Sequence, residues 1–321
     1  MAAKGEHVPY DEFSMFHENA EEFGLPFDGP PRVRRFFTEL DDGRRLSSLV
    51  WGDSDSELVL LHGGAQNAHT WDTVALALGR PLVAVDLPGH GHSDGGRRGS
   101  LDAHENAEDV AAVIRAVAPN AVAVVGMSLG GITTLALADD APELVRSVVL
   151  VDITPGVTAE KSAAITAFVQ GPDSFASFED ILARTVEHNP TRTVSSLRRG
   201  ILHNAEQRPD GSWVWRYARH RGLERPDGAG PPDYLALWDA VSRLRVPVLL
   251  VRGMLPQSVV DDEDEAELLR RCPTARVERI DNAGHSVQGD TPIELARLID
   301  DFAPRRWGAA PPGLAADRHI S

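Results

Sequence analysis

The sequence predicts an α/β fold, a mainly parallel sheet with helices on both faces and a block of different character inserted late in the chain. Three observations predict it. From Val33 onward, short apolar runs alternate with helix-compatible runs. The apolar runs are nearly unbroken Val, Leu and Ala, the pattern of strands buried on both faces. The alternation stops between Thr154 and Ala240 and resumes at Val246.

The elements follow in order. Phe13, Phe16, Ala20 and Phe23 fall at helical spacing and predict a short amphipathic helix, ended by Gly24 and Pro26, with Gly29-Pro30-Pro31 as a linker. Residues 1–32 therefore read as an extension packed outside the core. Val33 to Leu40 and Arg45 to Trp51 form a hairpin closed by Asp41-Asp42-Gly43. Strand Leu58 to Leu61, helix Thr70 to Leu78, strand Leu82 to Val85, helix Leu101 to Ala118 and strand Ala121 to Val125 come next. A helix over Ile132 to Ala138 and a strand over Val145 to Val151 complete the first part, so the core covers 33–154. Residues 155–240 show no buried strand and carry helical runs broken at Gly171-Pro172, Asn189-Pro190 and Pro226 to Pro232, which reads as a helical cap. The core resumes over 241–303 with strand Val246 to Val251, helix Asp262 to Arg271, strand Ala275 to Ile280 and helix Pro292 to Phe302. The Ala/Pro/Gly-rich 304–321 reads as a disordered tail.

Bulk properties narrow the function. With 321 residues and 42% hydrophobic content, the chain can bury a large core. A net charge of −16 argues against nucleic acid and anionic membranes as partners. The single cysteine, Cys272, allows no internal disulfide and fits a reducing compartment. No charged-then-apolar leader and no apolar stretch near the roughly 20 residues of a membrane span are present, so a cytoplasmic location is expected.

The chemistry gathers around Gly126-Met127-Ser128-Leu129-Gly130, which lies between an apolar strand and a helix. A strand that turns abruptly into a helix through G-x-S-x-G lifts the serine hydroxyl above the sheet and aims the helix N–H groups at it. Ser128 is the candidate nucleophile; its bland reading is a helix cap. The candidate base is His285, in Asp281-Asn282-Ala283-Gly284-His285-Ser286 after the last strand. His62, His90 and His92 sit in glycine-rich loops at the same sheet edge, where each could line the pocket, but none has the late position that the order Ser…acid…His requires. The oxyanion donors are expected to be the Leu129 N–H and, from His62-Gly63-Gly64-Ala65, the Gly64 N–H, with Gly63 facing the substrate. Trp213, Trp215, Tyr217 and Trp238 lie in the inserted block; Trp213 and Trp215 are candidate acyl-pocket walls, against the plainer reading that they pack the block's own core.

The segments Leu61-His62-Gly63-Gly64, Trp71, Asp86-Leu87-Pro88-Gly89-His90-Gly91-His92-Ser93, the elbow and Gly284-His285 together resemble the α/β-hydrolase-fold serine hydrolases, from Val33 to Ala303. The His-Gly-Gly-x-Gln loop ending at Gln66 is similar to that of actinobacterial, including mycobacterial, esterases. The resemblance implies an eight-stranded sheet, a cap after the sixth strand, hydrolysis of a small-molecule ester of small to medium acyl group, no cofactor and no metal. It also implies that Asp86 is structural.

One departure matters. The family's usual place for the acid, after the seventh strand, reads Arg252-Gly253-Met254-Leu255-Pro256-Gln257-Ser258-Val259-Val260, with no carboxylate before Asp261. Asp152, in Val151-Asp152-Ile153-Thr154-Pro155, is the favoured acid, because some related esterases take it from an Asp-Ile-x-Pro segment there; Asp261 or Asp262 is the alternative. Serine at 128 argues against dehalogenases and epoxide hydrolases, which need a carboxylate nucleophile. A carbon–carbon bond hydrolase, a lactonase or a thioesterase would use the same triad, and a non-catalytic binding protein on the same scaffold is the rival from another class.

Overall fold

The computed structural model describes residues 7–97, 101–217 and 233–305. The sheet strands are β1 (Val33–Glu39), β2 (Arg45–Trp51), β3 (Leu58–Leu61), β4 (Leu82–Val85), β5 (Ala123–Met127) and β6 (Val148–Val151). After an insertion carrying β7 (Ser174–Phe175), β8 (Ala205–Gln207) and β9 (Trp213–Trp215) come β10 (Val248–Gly253) and β11 (Arg276–Ile280). Eight strands form one sheet in the order β1-β2-β4-β3-β5-β6-β10-β11. β1 with β2 and β2 with β4 pair antiparallel; the remaining pairs are parallel. The expected fold class is therefore the observed one.

Strand periodicity divides the core into two layers. Val59 and Leu61 point to one face, where they pack with helices Ala103–Val117 and Leu129–Asp140. Leu58 and Leu60 point to the other, toward helices Phe16–Glu22, Asp72–Leu78 and Pro292–Phe302. The β5 strand, fully buried, lies between β3 and β6, so the loops that leave β3, β5, β6, β10 and β11 open along one edge. Ligands of open α/β sheets bind outside that carboxyl edge.

Between β6 and β10 the structure differs from the expected all-helical block. Helices Ala163–Val169, Phe178–His188 and Val194–Asn204 are joined by a three-stranded antiparallel sheet, β7-β9-β8. Strands of two or three residues are too short to leave a period-2 signal, which is why the sequence did not announce them. The central strand β9 is buried, and Trp213, Trp215 and Tyr217 pack there with Phe175, Ile181 and Ile201. Trp238 belongs elsewhere: helix Leu237–Arg243 packs into the main core, so the core resumes before residue 241.

The N-terminal extension does more than cover the core. The Val8 N–H donates to Gln207 Oε1 at 3.0 Å, Tyr10 Oη lies 2.9 Å from His203 Nδ1, and Glu22 pairs with Arg199. It ties the inserted segment to the sheet. The proline-rich break at Pro226 to Pro232 and the tail beyond 305 lie outside the described residues, and among those described no helix is long and apolar enough to cross a membrane.

Candidate active site

The elbow is built by close approach of backbone. A methyl on Gly126 would come within 2.3 Å of the Gly130 carbonyl oxygen, and one on Gly130 within 2.3 Å of the Leu61 carbonyl oxygen. Only glycine fits at either place. Between them Ser128 holds φ +51°, ψ −118°, outside the ordinary regions for a residue with a side chain. Helix Leu129–Asp140 starts at the next residue, so the Leu129 N–H is one of the unpaired donors of a helix start.

Asp152 ends β6 on the neighbouring strand and is also strained, at φ +47°. Its side chain is wholly buried and takes four hydrogen bonds. Oδ1 accepts from the Gly253 N–H at 2.9 Å and from Ser258 Oγ at 2.6 Å. Oδ2 accepts from the Val259 N–H at 3.0 Å and from His285 Nδ1 at 2.9 Å. A carboxylate so surrounded is fixed in orientation. The segment 253–259, which lacks a carboxylate, supplies three of the four donors. Asp261 lies apart: it caps helix Asp262–Arg271 through the Asp264 N–H and pairs with Lys161 at 2.7 Å. Asp262 is exposed and pairs with Arg252. Neither meets His285.

With Nδ1 donating to Asp152, Nε2 of His285 is left as the ring's acceptor. Ser128 and His285 line one cavity without a direct hydrogen bond between them, the looser arrangement common in unliganded sites. The cavity has a volume of about 530 Å³ and is roofed by the inserted segment. A second hollow of the same volume, beside Arg97 and His104, is lined by no serine or other nucleophile among the described residues.

The loop after β3 forms another wall. Gly63 lies against the elbow, since a methyl there would meet Ser128 Cβ at 3.2 Å, and its N–H donates to Gln66 Oε1 at 3.2 Å. Gly64 borders the cavity with open space beside its α-carbon. Ala65 is held at φ +61° by two contacts: its N–H donates to His90 Nε2 at 3.0 Å and its carbonyl accepts from Asn204 of the inserted segment at 2.7 Å. His62 accepts from the Leu87 N–H at 2.9 Å, and burial pushes its pKa down, so it stays neutral and structural. His62, His90 and His92 do not line this cavity, contrary to expectation. Asp86 braces the loop, accepting from the Ala68 N–H and Arg35 at 2.7 and 2.8 Å. Burial opposes its ionisation, yet Arg35 and the backbone donors bring its pKa to about 2.

Trp215 lines the cavity; Trp213 does not, since it stacks edge-on to Phe178 within the inserted segment at 5.0 Å. The plainer reading of these aromatics as local core holds for Trp213 and Tyr217. Ser258 and Asn204 were missed, and the partners of Gln66 and His90 were not read, because a serine, an amide or a histidine gives no signal until a partner is known.

Beside Gln66 lies a buried polar cluster. His69 and His203 stack at 3.7 Å between ring centres, inclined by 11°. His69 Nδ1 meets Asp72 Oδ2 at 2.8 Å and Nε2 meets Glu12 Oε1 at 3.0 Å. Burial alone would lower the His69 pKa, but Asp72 and Glu12 raise it to about 9. His203, desolvated and facing that cation, is pushed well below its usual value. His69, Asp72 and His203 carry ligand-type atoms within 4.8 Å of one another, but parallel stacked rings direct their lone pairs along separate planes, not to one metal position.

The fold and this edge of the sheet define a class. Residues 58–292 match the model of the alpha/beta hydrolase fold family, and the chain belongs to that family. It is 43% identical over 308 residues, 93% of this chain and 98% of the relative, to Esterase Rv0045c of Mycobacterium tuberculosis. A crystal structure of that esterase matches with a TM-score of 0.77 at 42% identity, covering 92% of this chain and 98% of the other. A pimeloyl-[acyl-carrier protein] methyl ester esterase of Sodalis glossinidius is 35% identical over 80% of this chain and 98% of its own length.

Proposed function

We propose that Ser128, His285 and Asp152 form the triad of a serine hydrolase that cleaves carboxylic esters of small to medium acyl groups. The observation that carries this is the convergence of three chain-distant residues: a strained serine and a histidine on one cavity, with a buried carboxylate 2.9 Å behind the histidine. The reaction class, ester hydrolysis, follows from family membership and from the esterase at 43% identity. The inserted segment acts as a cap over the site, and the single cysteine supports action in the cytoplasm.

The geometry gives each group its work. His285 Nε2 takes the Ser128 proton as the oxygen attacks the ester carbonyl. The Leu129 and Gly64 N–H groups hold the oxyanion, each worth about 3–4 kcal/mol in comparable sites. His285 returns the proton to the departing alcohol. Water then attacks the acyl-serine with the same base, releasing the acid and restoring the hydroxyl. Asp152 fixes the ring's tautomer and stabilises its cation, and it is itself fixed by Ser258 and two backbone donors.

Ser128→Ala is the direct test. Turnover of a short-chain p-nitrophenyl ester falls by at least about 10³-fold, and fluorophosphonate labelling disappears. Undiminished turnover by this variant would refute the assignment.

A further inference from the structure

The cavity holds a cation that the proposed reaction does not use. Arg192 lies in the connection between helices Phe178–His188 and Val194–Asn204 and lines the same cavity as Ser128 and His285. Its guanidinium lies against Gly289, in the short helix Val287–Asp290 that follows the base: a methyl on Gly289 would come 3.0 Å from Cζ and 3.1 Å from Nε and Nη1. Glycine thus lets the cation settle close to the base loop. Nη2 donates to Ser196 Oγ, while Nε is buried with no hydrogen-bond partner.

Its neighbours do not neutralise it. The other fixed cations of the wall are paired: Lys161 reaches Asp261 and Asp264 at 2.7 Å each, Arg199 holds Glu22, and His69 sits between Asp72 and Glu12. No described carboxylate is in ion-pair contact with Arg192. Asp290 and Glu22 attract it and Arg199 repels it, all from beyond contact. Asp290 is already committed, accepting from the Gly284 N–H at 2.9 Å and from Thr191 Oγ1 at 2.8 Å. Burial pushes the guanidinium pKa down, yet arginine keeps its charge in proteins. A half-buried cation whose Nε is buried and unmet is costly unless a partner arrives.

We propose that Arg192 binds a free carboxylate of the substrate, so that half-esters of dicarboxylic acids are preferred over neutral esters of the same length. This rests on the reading of the cavity as an ester-hydrolysing site. The planar fork of arginine suits a carboxylate. One unpaired guanidinium matches one charge, and the chain's overall −16 leaves such local cations as the means of holding an anion.

The test compares monomethyl esters of C4 to C8 dicarboxylic acids with methyl esters of the matching monocarboxylic acids. Wild-type kcat/KM favours the half-ester at the fitting length. In Arg192→Gln the ratio of half-ester to neutral-ester kcat/KM falls roughly 10- to 100-fold, the range of a charge-assisted hydrogen bond; Arg192→Lys keeps part of the preference. Absence of any preference in the wild type, or a ratio unmoved by Arg192→Gln, overturns the proposal. Calorimetric binding of monomethyl adipate to Ser128→Ala, with and without Arg192→Gln, reads the same contact without turnover. Weaker binding in the double variant supports the role of Arg192, and equal binding rejects it. Failure of the wild type to hydrolyse any ester would instead strike the esterase reading.

Discussion

Below the cavity and above it, the molecule is held together by different forces. The sheet beneath is apolar and continuous: every residue of β3, β4, β5 and β6 is buried. The inserted segment above has a small core around Trp213 and Trp215, and no residue of its helix Ala163–Val169 is fully buried. Polar contacts moor it instead, among them Arg199 to Glu22, Asn67 to the His203 carbonyl and Asn204 to the Ala65 carbonyl. The difference assigns the tasks. Ser128, His285 and Asp152 project from the rigid layer, where sub-ångström placement can be kept, while the segment over the cavity is softer.

The sharpest way to break this comparison is to disturb the sheet edge alone. Asp152→Asn lowers kcat by about 10⁴-fold, because the amide no longer holds the catalytic tautomer, while Asp261→Asn stays within about twofold in the same ester assay. Intact turnover in Asp152→Asn with loss in Asp261→Asn would return the acid to Asp261. Trp213→Ala probes the other region, removing about 3–5 kcal/mol of packing. Amide exchange quickens over β8 and β9 while Leu249 and Leu250 in β10 remain protected; uniform acceleration would mean that the two regions unfold as one.

The polar mooring has a pH signature. The His69 pKa, about 9 when folded against about 6.5 when unfolded, is raised. Its contribution is therefore complete below about pH 6.5 and lost as pH rises through 9, on the order of 3 kcal/mol at 1.36 kcal/mol per unit. His69→Gln flattens that alkaline slope in denaturant titrations at pH 6 and pH 9.5. A slope that persists assigns the effect to another group. The smallest change is at Ser258→Ala, with about a tenfold loss in kcat/KM. Steady-state rates on the same ester read it, and an unchanged rate would remove Ser258 from the support of Asp152.

Much of the sheet was legible. Apolar runs with period 2 or none marked its strands, and chain order picked Ser128 and His285. The place of Asp152 was legible only in part, since the residue that confirms its surroundings, Ser258, lies 106 positions away and is anonymous in sequence. Trp213 and Trp215 were indistinguishable as candidates: they lie two positions apart on one face of β9, and only the packing of Phe178 on Trp213 shows which of them reaches the cavity.

The sequence by itself determined the strand-turn-helix kink at Ser128, because the backbone at Gly126 meets that at Gly130 only four residues on, a crowding that excludes a side chain and is local. It also determined which segments are buried, because the composition of a strand records its solvent exposure. Tertiary structure alone decided which carboxylate meets His285, which aromatics border the cavity, and that Arg192 remains without an ion pair among the described residues. Those are matters of distance between segments far apart in the chain, and a hydrogen bond or a Coulomb contact exists only once folding has set that distance.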